Sequence, residues 1–558
     1  MIGSKLVDVY RELIAVAMGR EPADLLVENC SVVDVITGDV FEGCIAVKKD
    51  RIALVGERVR ARKVIDAKGR YAVPGFVDAH AHPDYYLTLP EFADLSVKHG
   101  TTTLFAEPDA ALNSMGVEGF KLFVKWAKEC SARVFVQIPF ICPQDPAVED
   151  PNFDISLEEL VSAAGDLLVG MGEVVAWSGA LNGDDDVLKK VEFAIRREMV
   201  VLGHSAGAKR SKLAAYSVLA SSCHEAISPE QGIERLRNGM HLMVREGSIR
   251  SDISVLDSLG SRVDKSWISV VSDGVEPVDL VEGYMDAVAR KIVELGFDPI
   301  DALRMVTVDP ARYYGKERDI GVLAPPRHAD IVFLRSLERF EVDRVLVGGE
   351  RPKSTRTVES AFSVMRVEKV EKKEIEIGAE GSVRVRVAKM VSETVNREVV
   401  RDVEVRKGEV DGLCKAVLVD RFHNRKPVVA LLENLELEGA VASTVCFDEY
   451  NIVAVGTKDE DIVKAVNELI KLGGGVVYAG DKTLKLKLPF GGVMSSDVED
   501  VVSKLGKLRE ILREKGMKFE NPLNVLHFLT FVTLPELKLS NRGIVRVKDR
   551  KVVPLIVE

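Results

Sequence analysis

Apolar residues recur at helical spacing where the chain begins. Leu6, Val9, Tyr10, Leu13, Ile14 and Ala17 fall at i, i+3 and i+4, which predicts an amphipathic helix over residues 4–18. Short β-type runs broken by turn residues follow, at 24–35, 44–48, 51–55 and 63–66, with a turn at Thr37-Gly38-Asp39. They predict a small β domain. From Pro74 to about Pro325 the pattern becomes strand then helix, with strands expected at 102–106, 134–138, 200–203 and 268–272. Helices are expected at 112–130, 187–198 and 278–295. Repeated βα units of this kind predict a parallel sheet, and a (β/α)8 TIM-like barrel fits the length. The β pattern returns at Ala329-Asp330-Ile331-Val332-Phe333-Leu334 and runs to about Lys353, so the barrel reads as inserted into a small β-sandwich domain. From about Val367 a third region opens with charged alternating strands at 383–387 and 400–405. It then turns α/β: strands at 439–447, 452–456 and 473–478, a helix at 460–472 and a closing helix at 498–515. The fold class is therefore α/β. Its expected division is 1–72 (helix and first part of the β domain), 73–325 (catalytic barrel), 326–362 (last part of the β domain) and 367–558 (C-terminal α/β domain).

Composition narrows the partners. The 558 residues are 46% apolar and 29% charged, ordinary for a globular chain with several cores. A net charge of −11 and a pI of about 5.6 disfavour a nucleic-acid backbone, which needs a basic surface. Seven scattered cysteines without a CxxC pair read as reduced thiols in a cytoplasm. No apolar run reaches the length that spans a membrane, so no membrane partner is expected.

Candidate chemistry starts at Val73-Pro74-Gly75-Phe76-Val77-Asp78-Ala79-His80-Ala81-His82. In a strand, residues i and i+2 point the same way, so His80 and His82 converge from its carboxyl end. Four more residues stand where strands should end: Glu173, His204, His224 and Asp273. Singly, each has a plain structural reading: Glu173 a solvated charge, His204 and His224 satisfied histidines, Asp273 a helix N-cap. Jointly, four imidazoles and two carboxylates suffice for two divalent ions bridged by one carboxylate. Four of the nine histidines fall in this one pattern.

With those residues in place the chain resembles the amidohydrolase superfamily, and within it the bacterial and archaeal adenine deaminase family. The motifs carrying the likeness include the His80-Ala81-His82 segment, Gly100-Thr101-Thr102-Thr103 and the stretch from Gly239 to Ser248. Ala329-Asp330-Ile331-Val332 continues it, and in the third region so do Gly439-Ala440-Val441-Ala442-Ser443-Thr444-Val445 and Pro535-Glu536-Leu537. The resemblance implies that His80 and His82 hold a first metal, His204 and His224 a second, that Glu173 bridges them, and that Asp273 binds the first. It implies Mn²⁺ or Fe²⁺, with Zn²⁺ also accommodated, deamination of adenine to hypoxanthine and ammonia, and a homodimer. Asp273, or Glu225 beside His224, would relay protons; Asp84, His241 and Arg245 are expected in the substrate wall. The sequence departs from the family at Pro83-Asp84-Tyr85-Tyr86, Glu107-Pro108-Asp109-Ala110, Gly274 and Phe447-Asp448-Glu449-Tyr450. These departures admit two alternatives: an amidohydrolase for another aminopurine or cyclic amide, or a non-catalytic paralogue.

Overall fold

A computed structural model describes residues 2–140, 143–257, 259 and 263–557, with side chains from residue 6 onward. The opening amphipathic segment is the helix Ile2–Ala17. Its Leu13 and Val16 pack on Ala23, Leu26, Ala46 and Ala53, one face of a six-stranded sheet. That sheet runs in the order Val342–Leu346, Ile331–Leu334, Ala61–Pro74, Ala23–Val33, Val40–Lys48, Arg51–Gly56. The strands form one continuous hydrogen-bonded sheet that curls on itself, with Ile52 and Leu346 of its two edge strands sharing one core, and Ala61–Pro74 pairs on both sides. It runs parallel to Ala23–Val33 and antiparallel to Ile331–Leu334, with Ile331 opposite Pro74. The segments before and after the central region are thereby knitted together.

Gly75 carries the chain from this sheet into the strand Phe76–Ala81. Any Cβ at Gly75 would sit 2.0 Å from Thr102 Oγ1, so the Pro-Gly entry reflects a close approach of backbone to a neighbouring strand. Phe76–Ala81 opens a curled parallel sheet with Thr101–Ala106, Arg133–Pro139, Leu168–Val174 and Val200–Gly203. A second parallel sheet holds Ser222–Cys223, His241–Arg245 and Ile268–Val271. Hydrogen bonds span both gaps between the sheets: the Ser221 N–H donates to the Val201 carbonyl at 2.9 Å, and Ala81 pairs in parallel with Asp273. Alternate side chains such as Val77, Ala79, Phe105, Leu202, Met243 and Val271 fill the interior between the strands.

The expected helix at 278–295 is two helices, Pro277–Leu280 and Met285–Glu294. The break lies at Tyr284, whose buried hydroxyl donates to Asp78 Oδ2 at 2.6 Å. In the third region a nine-stranded sheet carries the helix Asp459–Leu472 on Val417, Ala442 and Val477. The helix Val498–Glu514 does not close the chain as expected. A short helix, Asn524–Leu529, and an antiparallel sheet of Leu537–Ser540, Gly543–Arg546 and Lys551–Val553 follow it. Met494–Ser495 pairs with Tyr86–Leu87, which anchors the third region just beyond His82. Six cysteines are free thiols, and Cys142 lies outside the described residues. Among the described residues no helix is long and apolar enough to cross a membrane.

Candidate metal centre

Glu173 stands where the strand Leu168–Val174 ends, between two pairs of histidines. Its Oε1 lies 3.0 Å from His80 Nε2 and 3.2 Å from His82 Nε2. Its Oε2 lies 2.5 Å from His204 Nδ1 and 3.3 Å from His224 Nε2. The last two nitrogens are only 3.1 Å apart. Asp273 Oδ1 closes the first group, 3.3 Å from His80 Nε2 and 3.5 Å from His82 Nε2.

Local structure explains each placement. Two residues past the strand Ile268–Val271, Asp273 takes a left-handed backbone (φ +62°), a region Asp tolerates better than most residues. Its amide donates to the His80 carbonyl at 3.1 Å and its carbonyl accepts from the His82 amide at 2.9 Å. The turned backbone thus delivers the carboxylate directly to the His-x-His pair. Asp78, fully buried, accepts from the amides of His80 and Ser272 and fixes the same junction from below. His204 is steadied by Tyr216, whose hydroxyl accepts from the His204 amide at 2.7 Å and donates to the Val174 carbonyl at 2.8 Å.

Electrostatics agree with the geometry. Burial pushes the Glu173 carboxyl up, but the neighbouring His224 and His204 outweigh it and hold the group well below the usual carboxylate range. Asp273 is likewise raised by burial and pulled well below by hydrogen bonds from His80 and His82. Burial lowers His204, yet Glu225 and Glu173 raise it to about 9. Around this core the buried Glu173, Glu225 and Asp273 are held below the usual carboxylate range, whereas burial pushes Asp109 up and Glu107 and Asp448 well up. Three buried carboxylates kept ionised side by side call for cations.

The donors fit metal. One ligand atom each from His80, Glu173, His224 and Asp273 lie within 4.8 Å of one another, as do those of His80, His82, Glu107 and Glu173, and those of His204, His224 and Glu225. Imidazole and carboxylate together suit divalent transition ions.

The site opens on a cavity of about 450 Å³ lined by His82, Glu173, His204, Glu225, Arg245 and Asp273. Arg245 contacts Glu225 Oε1, lies 3.6 Å from Asp273 Oδ2 and donates from Nε to Asp252 at 3.0 Å. Two expected wall residues are elsewhere. Asp84 is buried beneath the helix Asp109–Glu129, where its Oδ2 accepts from the Ala111 amide at 2.7 Å. His241 begins the strand His241–Arg245, at the opposite end from Arg245. Its Nε2 lies 2.8 Å from Ser269 Oγ and its ring stacks on Tyr313.

Other residues enter besides the six strand-end candidates, several of them from the departing segments 107–110 and 447–450. Glu107 stands just beyond the strand Thr101–Ala106, its amide donating to the Ala81 carbonyl at 3.0 Å, with neither carboxylate oxygen partnered. The strand-end position that singled out Asp273 applies equally to it. Asp109 reaches His82 Nδ1 at 2.7 Å. The third region supplies Phe447, Asp448, Phe528 and Phe531 to the cavity; Phe531 stacks on His204 with ring centres 5.5 Å apart. No periodicity or spacing in 524–531 signals that role.

Known proteins share this plan. Residues 71–351 match the amidohydrolase family and residues 393–551 match the adenine deaminase C-terminal domain. An adenine deaminase of Cenarchaeum symbiosum is 36% identical over 98% of this chain and 94% of its own length. One from Archaeoglobus fulgidus is 36% identical over 98% of both chains. One from Moorella thermoacetica is 35% identical over 99% of this chain and 98% of its own.

Proposed function

The chain belongs to the adenine deaminase family of the amidohydrolases, and from that premise we propose that it hydrolyses adenine to hypoxanthine and ammonia at the Glu173 centre. The observation that supports this most directly is the Glu173 carboxylate, with one oxygen toward His80 and His82 and the other toward His204 and His224. A carboxylate so placed would serve two ions, one on each side. In this reading His80, His82 and Asp273 hold one divalent ion, His204 and His224 the other, with Mn²⁺ or Fe²⁺ favoured and Zn²⁺ accommodated. When bound, the ions supply Lewis acidity and bring water toward ionisation near neutral pH.

The chain's own groups then move protons. Addition of water at C6 of the purine sends one proton to ring nitrogen N1. Loss of the new C6 hydroxyl proton to the amine releases ammonia and leaves the carbonyl of hypoxanthine. Asp273 and Glu225 are the two carboxylates at the cavity wall placed to carry these protons. Arg245, in contact with Glu225 and 3.6 Å from Asp273, keeps both aimed at the same space. The aromatic roof of Phe447, Phe528 and Phe531 excludes water and suits a flat heterocycle.

The same reading joins the two parallel sheets into one (β/α)8 barrel over 73–325. It takes 1–72 and 326–362 as one β domain and 367–558 as the domain that roofs the site. The test is direct: protein loaded with Mn²⁺ or Fe²⁺ is given adenine and a panel of aminopurines and cyclic amides, and ammonia is measured. Release from adenine is expected. Release from another compound alone overturns the substrate, and silence across the panel with two ions bound overturns the activity.

A further inference from the structure

Five acids line the cavity, and four are engaged. Glu173 and Asp273 face histidines, Asp109 faces His82, and Glu225 meets Arg245. Asp448 is different. Among the described residues its side chain has one partner, the buried amide of Gln144, which donates from Nε2 to Oδ2 at 2.6 Å. Among the described residues no ion pair is made to it, and it lines the cavity.

Its surroundings restrict what Oδ1 can meet. Asp448 is 8% exposed, so a polar atom arriving there leaves bulk water behind and its hydrogen bond counts heavily. Beside it Phe447 meets Phe528 edge to face at 5.6 Å, and Phe528 lies 5.8 Å from Phe531. A planar ring held on these faces presents only its edge to a neighbouring carboxylate.

The geometry points to Asp448 as a specificity residue that hydrogen-bonds through Oδ1 to the imidazole-ring N–H of a free purine base. The inference rests on the deamination reading: the pyrimidine half, which carries C6, must face Glu173 and Asp273, so the remaining acid meets the imidazole half. It deepens that reading, because a free base carries an N–H on this ring and a base substituted at N9, as in a nucleoside, does not. The third region would then choose free bases over nucleosides.

Equilibrium binding of the product hypoxanthine and of 9-methylhypoxanthine to the metal-loaded full chain, measured by calorimetry, tests this. Asp448→Ala should weaken hypoxanthine binding roughly three- to tenfold, the range expected for one buried hydrogen bond. It should leave 9-methylhypoxanthine nearly unaffected and metal content unchanged, with Asp448→Asn falling between. Hypoxanthine affinity within twofold of the unsubstituted protein in Asp448→Ala, an equal loss for both ligands, or no hypoxanthine binding by the unsubstituted protein overturns the assignment. Absence of ammonia from adenine with hypoxanthine binding and its Asp448 dependence intact would instead overturn the catalytic reading alone.

Discussion

His82 Nδ1 lies 2.7 Å from Oδ2 of Asp109, so the imidazole is held from behind while its Nε2 faces Glu173 and Asp273. A carboxylate behind a ligating histidine fixes its tautomer and ring angle and strengthens it as a donor. Asp109→Ala is therefore expected to weaken metal binding at this position about 10- to 100-fold. Asp109→Asn, which keeps an oxygen acceptor, should recover part of it. Metal titration followed by elemental analysis separates the two variants.

Glu173 touches both histidine pairs, whereas each histidine serves one. Glu173→Ala should lower occupancy at both positions, and His82→Ala at one. Metal-to-protein ratios after equilibrium dialysis check this; full occupancy in His82→Ala would remove it from the ligand set.

Phe531 stacks on His204 and roofs the cavity. Phe531→Ala should raise KM about two- to tenfold, the scale of one aromatic contact, with metal content unchanged. Steady-state kinetics read the change.

Two buried histidines outside the centre set an acid response. Burial lowers the pKa of His241 to about 3, and burial with the nearby charge of Arg509 does the same for His527. Between about pH 6.5 and 3 the unfolded chain takes up protons at these positions and the native protein does not. Stability must fall as pH falls through that window, by up to about 1.4 kcal/mol per pH unit for each group. His241→Gln should flatten the slope, as measured by urea unfolding at a series of pH values.

Sequence patterning carried a good deal of this molecule. The strand-end rule placed His80, His82, Glu173, His204, His224 and Asp273, and all six meet in one buried cluster. Local spacing suffices there because each residue is fixed by its own strand. It failed where long-range packing decides. Asp84 and His241 are polar residues near motifs, yet one caps a helix and the other sits at the wrong end of its strand. The split at Tyr284 is set by Asp78, 206 residues away in sequence, and the roof at Phe528 and Phe531 by contacts with Phe447 and His204. No local period encodes such partners.

The left-handed turn at Asp273 has a consequence beyond aiming a carboxylate. It stitches the first strand of the central region to the last, at a junction where Asp78 and Ser272 meet from 194 residues apart. An ion held by His80, His82 and Asp273 would therefore be a clasp across the place where the two parallel sheets meet. Removing it with a chelator should loosen this seam first. Faster amide exchange at His82 and Asp273 and a lower melting temperature are the expected signs.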